Sequence, residues 1–330
     1  MDRLETIAEV RQYVRAERIA RRTVAFVPTM GALHDGHGSC VAAARELGGV
    51  VIVSIFVNPA QFGPREDLSK YPRPLEKDLA LCGAWGVDAV FVPDAAEMYR
   101  VDQDVWVEAD RLSKLLCGRT RPGHFRGVAT VVLKLLNIVQ PDTAVFGQKD
   151  AQQAVVIREM VEQLDVAVRL VLSPTVREND GLAMSSRNAY LALDERARAP
   201  WIYRSLVRGK ELVSKGERDP SRVAGEIRRQ MEAHGIAEVE YVELVDARDL
   251  STPRRVEGKV LIAAAARVGT TRLIDNVVLD VREDGTVEET MLFCRRRRMP
   301  RGRRGRRQPY GDRGSCKEPP SYSPPARGRG

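Results

Sequence analysis

The sequence predicts an α/β fold: a parallel sheet with helices on its faces, then a smaller α+β unit, then a disordered basic tail. Three observations carry this expectation. Short β-branched runs alternate with helix-periodic stretches through the first half of the chain, the signature of βαβ units and so of a parallel sheet. The pattern changes after Pro174, where longer helical stretches precede strand-like runs. Arginine, glycine, proline and serine dominate the end, a composition that cannot bury a core. A chain of 330 residues, 43% hydrophobic, is long enough for two domains. Their expected extents are 1–174 and 175–283, with the tail over 284–330.

The elements follow in order. Strands are expected over 23–27, 50–57, 89–92, 143–146 and 167–172, and helices from about 36, over 75–85, 128–139 and 151–164. Beyond Pro174, helices are expected over 194–214 and 220–234, and strands over 239–245, 259–267 and 272–281. Ligands of parallel sheets bind at the carboxyl ends of the strands. The polar residues His34 and His37 follow the first strand, Asn58 and Gln61 the second, and Lys149 and Asp150 the fourth.

Between the first strand and its helix stands Pro28-Thr29-Met30-Gly31-Ala32-Leu33-His34-Asp35-Gly36-His37. A glycine turn at a helix start aims backbone N–H groups and the positive end of the helix dipole at an anion, and two histidines three apart can reach the phosphates of a nucleotide. The turn is not a Walker loop, because His37 and Gly38 stand where Lys and Ser/Thr are needed. It resembles the histidine signature of the nucleotidylyltransferases. The alternative is that both imidazoles only cap or solvate the helix end.

Charge and cysteine usage bound the remaining classes. Residues 284–330 hold 13 Lys and Arg against 5 Asp and Glu, leaving 40 of each sign in residues 1–283. The body is neutral, so any nucleic-acid or other polyanion binding belongs to the tail, weak and salt-dependent. Residues 1–20 lack the apolar stretch of a signal peptide, and the longest strongly apolar run, 50–57, is far short of the roughly 20 residues of a membrane helix. Cys40, Cys82, Cys117, Cys294 and Cys316 form no CxxC pair. A cytoplasmic protein with reduced thiols is expected.

Three further segments narrow the chemistry. They are Ser54 through Pro64 with Tyr71-Pro72-Arg73; Arg121-Pro122-Gly123-His124-Phe125-Arg126-Gly127 with Phe146-Gly147-Gln148-Lys149-Asp150-Ala151-Gln152-Gln153; and Pro174-Thr175-Val176-Arg177-Glu178 running to Met184-Ser185-Ser186-Arg187-Asn188. Together with the histidine turn they closely resemble the pantoate–β-alanine ligases over residues 1–283. The resemblance implies a Rossmann-like first domain, a second domain lying over the site as a lid, a homodimer, and magnesium accompanying ATP. It also implies two steps: pantoate and ATP give pantoyl adenylate and pyrophosphate, and the amine of β-alanine then displaces AMP.

The roles are carried over residue by residue. His34, His37, Lys149 and Arg187 are the expected catalytic donors to charge that builds on the phosphoryl oxygens. ATP is expected to meet Met30, Gly31, His34, His37, Gly147, Lys149, Asp150, Val176, Met184, Ser185, Ser186 and Arg187. Within that set Gly147 and Asp150 face the ribose, Val176 offers its backbone to adenine, and Met184 to Arg187 resembles the mobile phosphate loop of class I synthetases. Gln61, Gln153 and Met30 are expected to hold pantoate, with Gln61 also meeting β-alanine, because a neutral amide orients a carboxylate without full charge pairing. Asn58, Tyr71, His124 and Arg126 are secondary candidates. Read in isolation, Lys149 and Gln153 suit a solvated surface and Ser-Ser-Arg-Asn suits a cap.

Four features depart from the family pattern. Gly38 stands inside the predicted helix, where glycine costs up to about 1 kcal/mol relative to alanine. Ala151 replaces a common aromatic, which is expected to leave a small void beside Lys149. Gln148 replaces a common glutamate, and the tail has no counterpart. Two other readings stand beside the ligase: a nucleotidylyltransferase with a different acceptor, which would not require Gln61 and Gln153, and a nucleic-acid-binding protein acting through its tail.

Overall fold

A computed structural model describes residues 1–64, 66 and 68–293. The elements of its first half are β1 (Asp2–Leu4), α1 (Ile7–Ile19), β2 (Val24–Thr29), α2 (Asp35–Arg45), β3 (Val50–Ile55), α3 (Leu75–Ala84), β4 (Ala89–Phe91), α4 (Ala95–Met98), α5 (Cys117–Thr120), α6 (His124–Val139), β5 (Thr143–Gly147), α7 (Ala151–Gln163) and β6 (Arg169–Ser173). The second half holds α8 (Leu193–Arg198), α9 (Trp201–Ser214), α10 (Pro220–Ala233), β7 (Glu238–Asp246), β8 (Gly258–Val268), β9 (Thr271–Val281) and β10 (Val287–Thr290).

The first six strands form one parallel sheet in the order β1-β4-β3-β2-β5-β6. Alternation along the strands sorts side chains between two layers. Val24, Phe26, Ile52, Phe91, Ala144 and Phe146 pack with α1, α6 and α7, whereas Ala25, Val27, Val51, Val53, Val90 and Val145 pack with α2 and α3. The chain runs outward from β2 through β3 to β4, then crosses to β5 on the other side of β2. That switch point opens a crevice beyond the carboxyl ends of β2 and β5.

The last four strands form an antiparallel sheet in the order β10-β9-β8-β7. One face is covered by α9 and α10 through Ile202, Leu206, Val223, Ile227 and Met231. The other face, with Tyr241, Leu261, Ala263, Ala265 and Val278, joins the core of the first sheet.

Four expectations need correction. The short edge strand β1 and the helix α1 went unforeseen; three residues carry too little pattern to read, although Thr6 and Glu9 form a capping box. The helix expected over 194–214 is two, α8 and α9, because Pro200 sits at the start of the second and cannot continue the first. Residues 284–293 do not belong to the expected tail: β10 pairs with β9, and Leu292 is buried, 4% exposed, in the main core. The rest of the expected tail, 294–330, lies outside the described residues. Gly38 does not weaken α2 to no purpose, since a Cβ there would lie 3.0 Å from the Trp85 ring, so the helix trades propensity for close packing.

Candidate active site

The carboxyl ends of β2 and β5, the turn after β3 and the loop after β6 enclose an open cleft of about 220 Å³. Met30, His34, His37, Gln61, Gly147, Lys149, Asp150, Gln153, Val176, Met184, Ser185, Ser186 and Arg187 all line it. So do Asn58, Tyr71 and His124. Two expected residues do not. Gly31 shapes the turn from behind, and the Arg126 guanidinium rests 5.1 Å from the Trp106 ring centroid instead.

The histidine turn is held from below by Asp78, which the sequence reading did not single out. Its carboxylate accepts from the N–H groups of Ala32 and Leu33, both at 2.8 Å. Gly31 has φ +79°, and a Cβ there would lie 3.0 Å from both Asp78 and Ile55, so only glycine passes. Asp78 falls on the apolar stripe of α3 together with Leu75, Leu79 and Cys82. A carboxylate on that face was a legible signal.

His34 and His37 both cap α2 and line the cleft. His34 Nδ1 accepts from the Gly36 N–H at 3.1 Å, and His37 Nδ1 accepts from the His34 N–H at 3.2 Å. Each Nδ1 being an acceptor, the ring proton sits on Nε2. Burial pushes the His37 imidazole down to about 4, with Lys149 adding to the effect, and holds His34 far below the usual range. The pair is therefore neutral near pH 7 and offers two N–H donors without competing charge.

Gln61 is oriented by a chain of hydrogen bonds. Its Oε1 accepts from Asn58 Nδ2 at 3.1 Å, while Asn58 Oδ1 accepts from the Tyr99 hydroxyl at 2.9 Å. The Gln61 carbonyl is thus occupied, and its NH₂ lies 2.8 Å from Met30 Sδ on the cleft side. Beneath it, His124 Nδ1 donates to the Gln61 backbone carbonyl at 2.8 Å, and Arg121 donates to His124 Nε2 at 2.9 Å. Burial and Arg121 push His124 down to about 4. Of the adjacent residues Gln152 and Gln153, Gln153 lines the cleft, whereas Gln152 is buried and bonds to Leu112, Leu115 and Cys117.

Lys149 and Asp150 lie on a 3-10 turn between β5 and α7, with Lys149 Nζ 3.9 Å from Asp150 Oδ1. Across the cleft, Ser185 caps a second 3-10 turn, Ser186–Tyr190, by accepting from the Arg187 N–H at 3.3 Å. The Tyr71 hydroxyl lies 3.4 Å from Ser186 Oγ, and Arg187 lies 5.9 Å from the Tyr71 ring centroid. The Val176 carbonyl accepts from the Met184 N–H at 3.0 Å. Imidazole and hydroxyl donors, the cations Arg121, Lys149 and Arg187, and the neutral amides of Gln61 and Gln153 thus line one cleft.

The family model for pantoate–beta-alanine ligase matches residues 2–278. Among curated relatives, the pantothenate synthetase of Moorella thermoacetica is 50% identical over 283 residues, covering 86% of this chain and 100% of that protein. That of Carboxydothermus hydrogenoformans is 51% identical over 276 residues, covering 83% and 98%. Among solved structures, the pantothenate synthetase of Thermus thermophilus superposes with a TM-score of 0.79 at 42% identity, covering 84% of this chain and 98% of that one. The pantoate–beta-alanine ligase of Francisella tularensis, solved with beta-gamma ATP and beta-alanine, gives a TM-score of 0.70 at 32% identity, covering 84% and 97%. Two independent lines, a family model running almost from the first residue through most of β9 and a shared fold over a similar share of the chain, converge with the cleft's chemistry: this chain belongs to the pantoate–beta-alanine ligase family.

Proposed function

We propose that the chain condenses pantoate with β-alanine in two steps through a pantoyl adenylate, releasing pyrophosphate and then AMP. The observation that carries this reading is that the histidine turn, Lys149, the Ser185–Arg187 segment and the amides of Gln61 and Gln153 all line one cleft. ATP lies with its triphosphate among His34, His37, Lys149, Ser185, Ser186 and Arg187, its ribose near Gly147 and Asp150, and its adenine near Val176 and Met184. Pantoate lies against Met30, Gln61 and Gln153, its carboxylate aimed at the α-phosphorus. The pentavalent transition state gathers charge on the phosphoryl oxygens and departing pyrophosphate, where the neutral imidazole N–H groups and the cations are already placed, so little reorganisation is required. After pyrophosphate leaves, Gln61 orients β-alanine for attack on the acyl carbon, and AMP departs.

Magnesium enters with the nucleotide. Among the described residues no three His, Cys, Asp or Glu side chains converge, and Asp150 is the carboxylate that lines the cleft. A magnesium ion would be held mainly by the nucleotide's own phosphates, with Asp150 the described carboxylate able to face it, and would neutralise phosphate charge. Residues 1–174 carry the pantoate site and the histidine and lysine part of the nucleotide site, and the second unit, from 175 through β10, supplies Val176 and Met184–Arg187 and acts as the lid. The active form is a homodimer, as the family resemblance implies. No helix among the described residues is long and apolar enough to cross a membrane, in keeping with a cytoplasmic biosynthetic enzyme.

The deciding experiment is isotope exchange between pyrophosphate and ATP. Pantoate alone supports exchange if the adenylate forms first. Exchange that requires β-alanine, or release of ADP in place of AMP, overturns the mechanism.

A further inference from the structure

The two phosphate-gripping elements sit on different parts of the fold, yet their separation must match one triphosphate. Lys149 rides on the turn between β5 and α7. The Ser185–Arg187 segment follows a hairpin closed by the bridge between Arg177 and Ala183. Neighbouring residues of a single strand, β9 of the second sheet, hold both.

Asn276 Nδ2 donates to the Gln148 carbonyl at 3.1 Å and to the Lys149 carbonyl at 2.8 Å. Its Oδ1 accepts from no group among the described residues, so the amide serves here as a double donor to that turn. Asp275 takes both Arg177 guanidinium nitrogens, at 2.6 and 3.0 Å. The same guanidinium donates to the Gly181 carbonyl at 3.1 Å and lies 3.5 Å from the Tyr203 ring centroid, which fixes the hairpin's base. Asp275 and Asn276 are each 4% exposed.

Successive residues of a strand point to opposite faces. Ile274 and Val278 pack toward the first sheet's core and Leu273 and Val277 toward α9 and α10, so Asn276 reaches the Lys149 turn from one face while Asp275 reaches the hairpin from the other. At both residues β9 pairs with β8, with Asp275 opposite Ala264 and Asn276 opposite Ala263. Neither grip can shift relative to the other without breaking one of these bonds or moving the strand.

We propose that Asp275 and Asn276 are a positioning pair that sets the separation of Lys149 and Ser185–Arg187 for adenylate formation. This rests on the reading that those two elements grip the triphosphate. Neither residue touches substrate. Each acts through the element it holds, so its loss should fall on the step that uses the triphosphate and spare the step that does not.

The test uses the full chain and separates the two half-reactions: pantoate-dependent pyrophosphate exchange, and conversion of supplied pantoyl adenylate with β-alanine. Asn276→Ala and the isosteric Asp275→Asn should each slow exchange by on the order of 10-fold to 100-fold through kcat more than through KM for pantoate, while the second half-reaction stays within about threefold. Asn276→Ala combined with Lys149→Ala should cost little more than Lys149→Ala alone, since the amide acts through that lysine's turn. Parallel loss of both half-reactions, no loss of exchange, or full additivity with Lys149→Ala would overturn the proposal. Lys149→Ala by itself tests the reading beneath it: if that variant exchanges normally, the phosphate assignment fails, whereas a slow Lys149→Ala beside a normal Asn276→Ala defeats the positioning pair alone.

Discussion

Gln148 Oε1 accepts a hydrogen bond from the backbone N–H of Leu292 at 3.1 Å, joining the turn that carries Lys149 to the segment after β10. Gln148 thus anchors chain that lies beyond the stretch matched by the family model, 2–278.

Truncation at two points should isolate the contribution of this anchor. Deleting 284–330 removes β10, the Lys210–Glu289 ion pair and the buried Leu292, and should cost on the order of 2–5 kcal/mol, the scale of emptying a buried leucine site. Deleting only 294–330 should leave stability and turnover near those of the full chain. Residues 294–330 hold 13 Lys and Arg against 2 Asp and Glu, leaving 40 against 43 in residues 1–293, so salt-dependent polyanion binding should disappear with the shorter deletion. Urea midpoints and heparin retention of the two truncated chains check both statements; equal stability in the two would refute the anchor.

Substitutions at the cleft should divide by step. His37→Ala and Lys149→Ala each remove a donor to developing charge and should slow adenylate formation by a factor on the order of 10² or more. Gln153→Ala should chiefly raise the KM for pantoate. Single-turnover rates with folded variants decide the matter, and near-normal adenylation by either of the first two would remove that residue from its assigned role.

Acid should destabilise the fold through its half-buried imidazoles. His37 and His124 are pushed from 6.5 down to about 4 by burial, so between those pH values the unfolded chain holds protons that the native state refuses. Stability is therefore fully present above about pH 6.5 and falls as pH drops toward 4, by on the order of 3 kcal/mol for each group at the acid end. His124→Gln keeps an amide donor for the Gln61 carbonyl and removes one titration, so its urea midpoint should fall less than that of the unmodified chain between about pH 7 and pH 5. A slope as steep as before would mean that His124 is not held neutral in the native state.

The parallel sheet was legible because buried strands such as Val50–Ile55 are near-continuous β-branched runs and because turn residues punctuate them. The cleft was legible as a set of candidates, since His34, Gln61, Lys149 and Arg187 each follow a strand or loop whose end the topology brings to the same edge. Two of its supports left signals that went unread: Asp78 on an apolar helix stripe, and Asp275 on the inward register of β9. Arg126 shows the opposite limit. Its motif marked it for the site, and only packing turned its guanidinium onto Trp106.

Local sequence determined the elements, the neutral body, the histidine turn and the family to which they belong, because propensity, capping and periodicity act over a few residues. Tertiary structure decided which carbonyls Asn276 holds, which ring nitrogen of His124 carries the proton, and that residues 287–293 finish the core. Those depend on contacts between residues more than a hundred positions apart, or on buried hydrogen-bond partners, and no short-range pattern encodes the distance at which such groups meet.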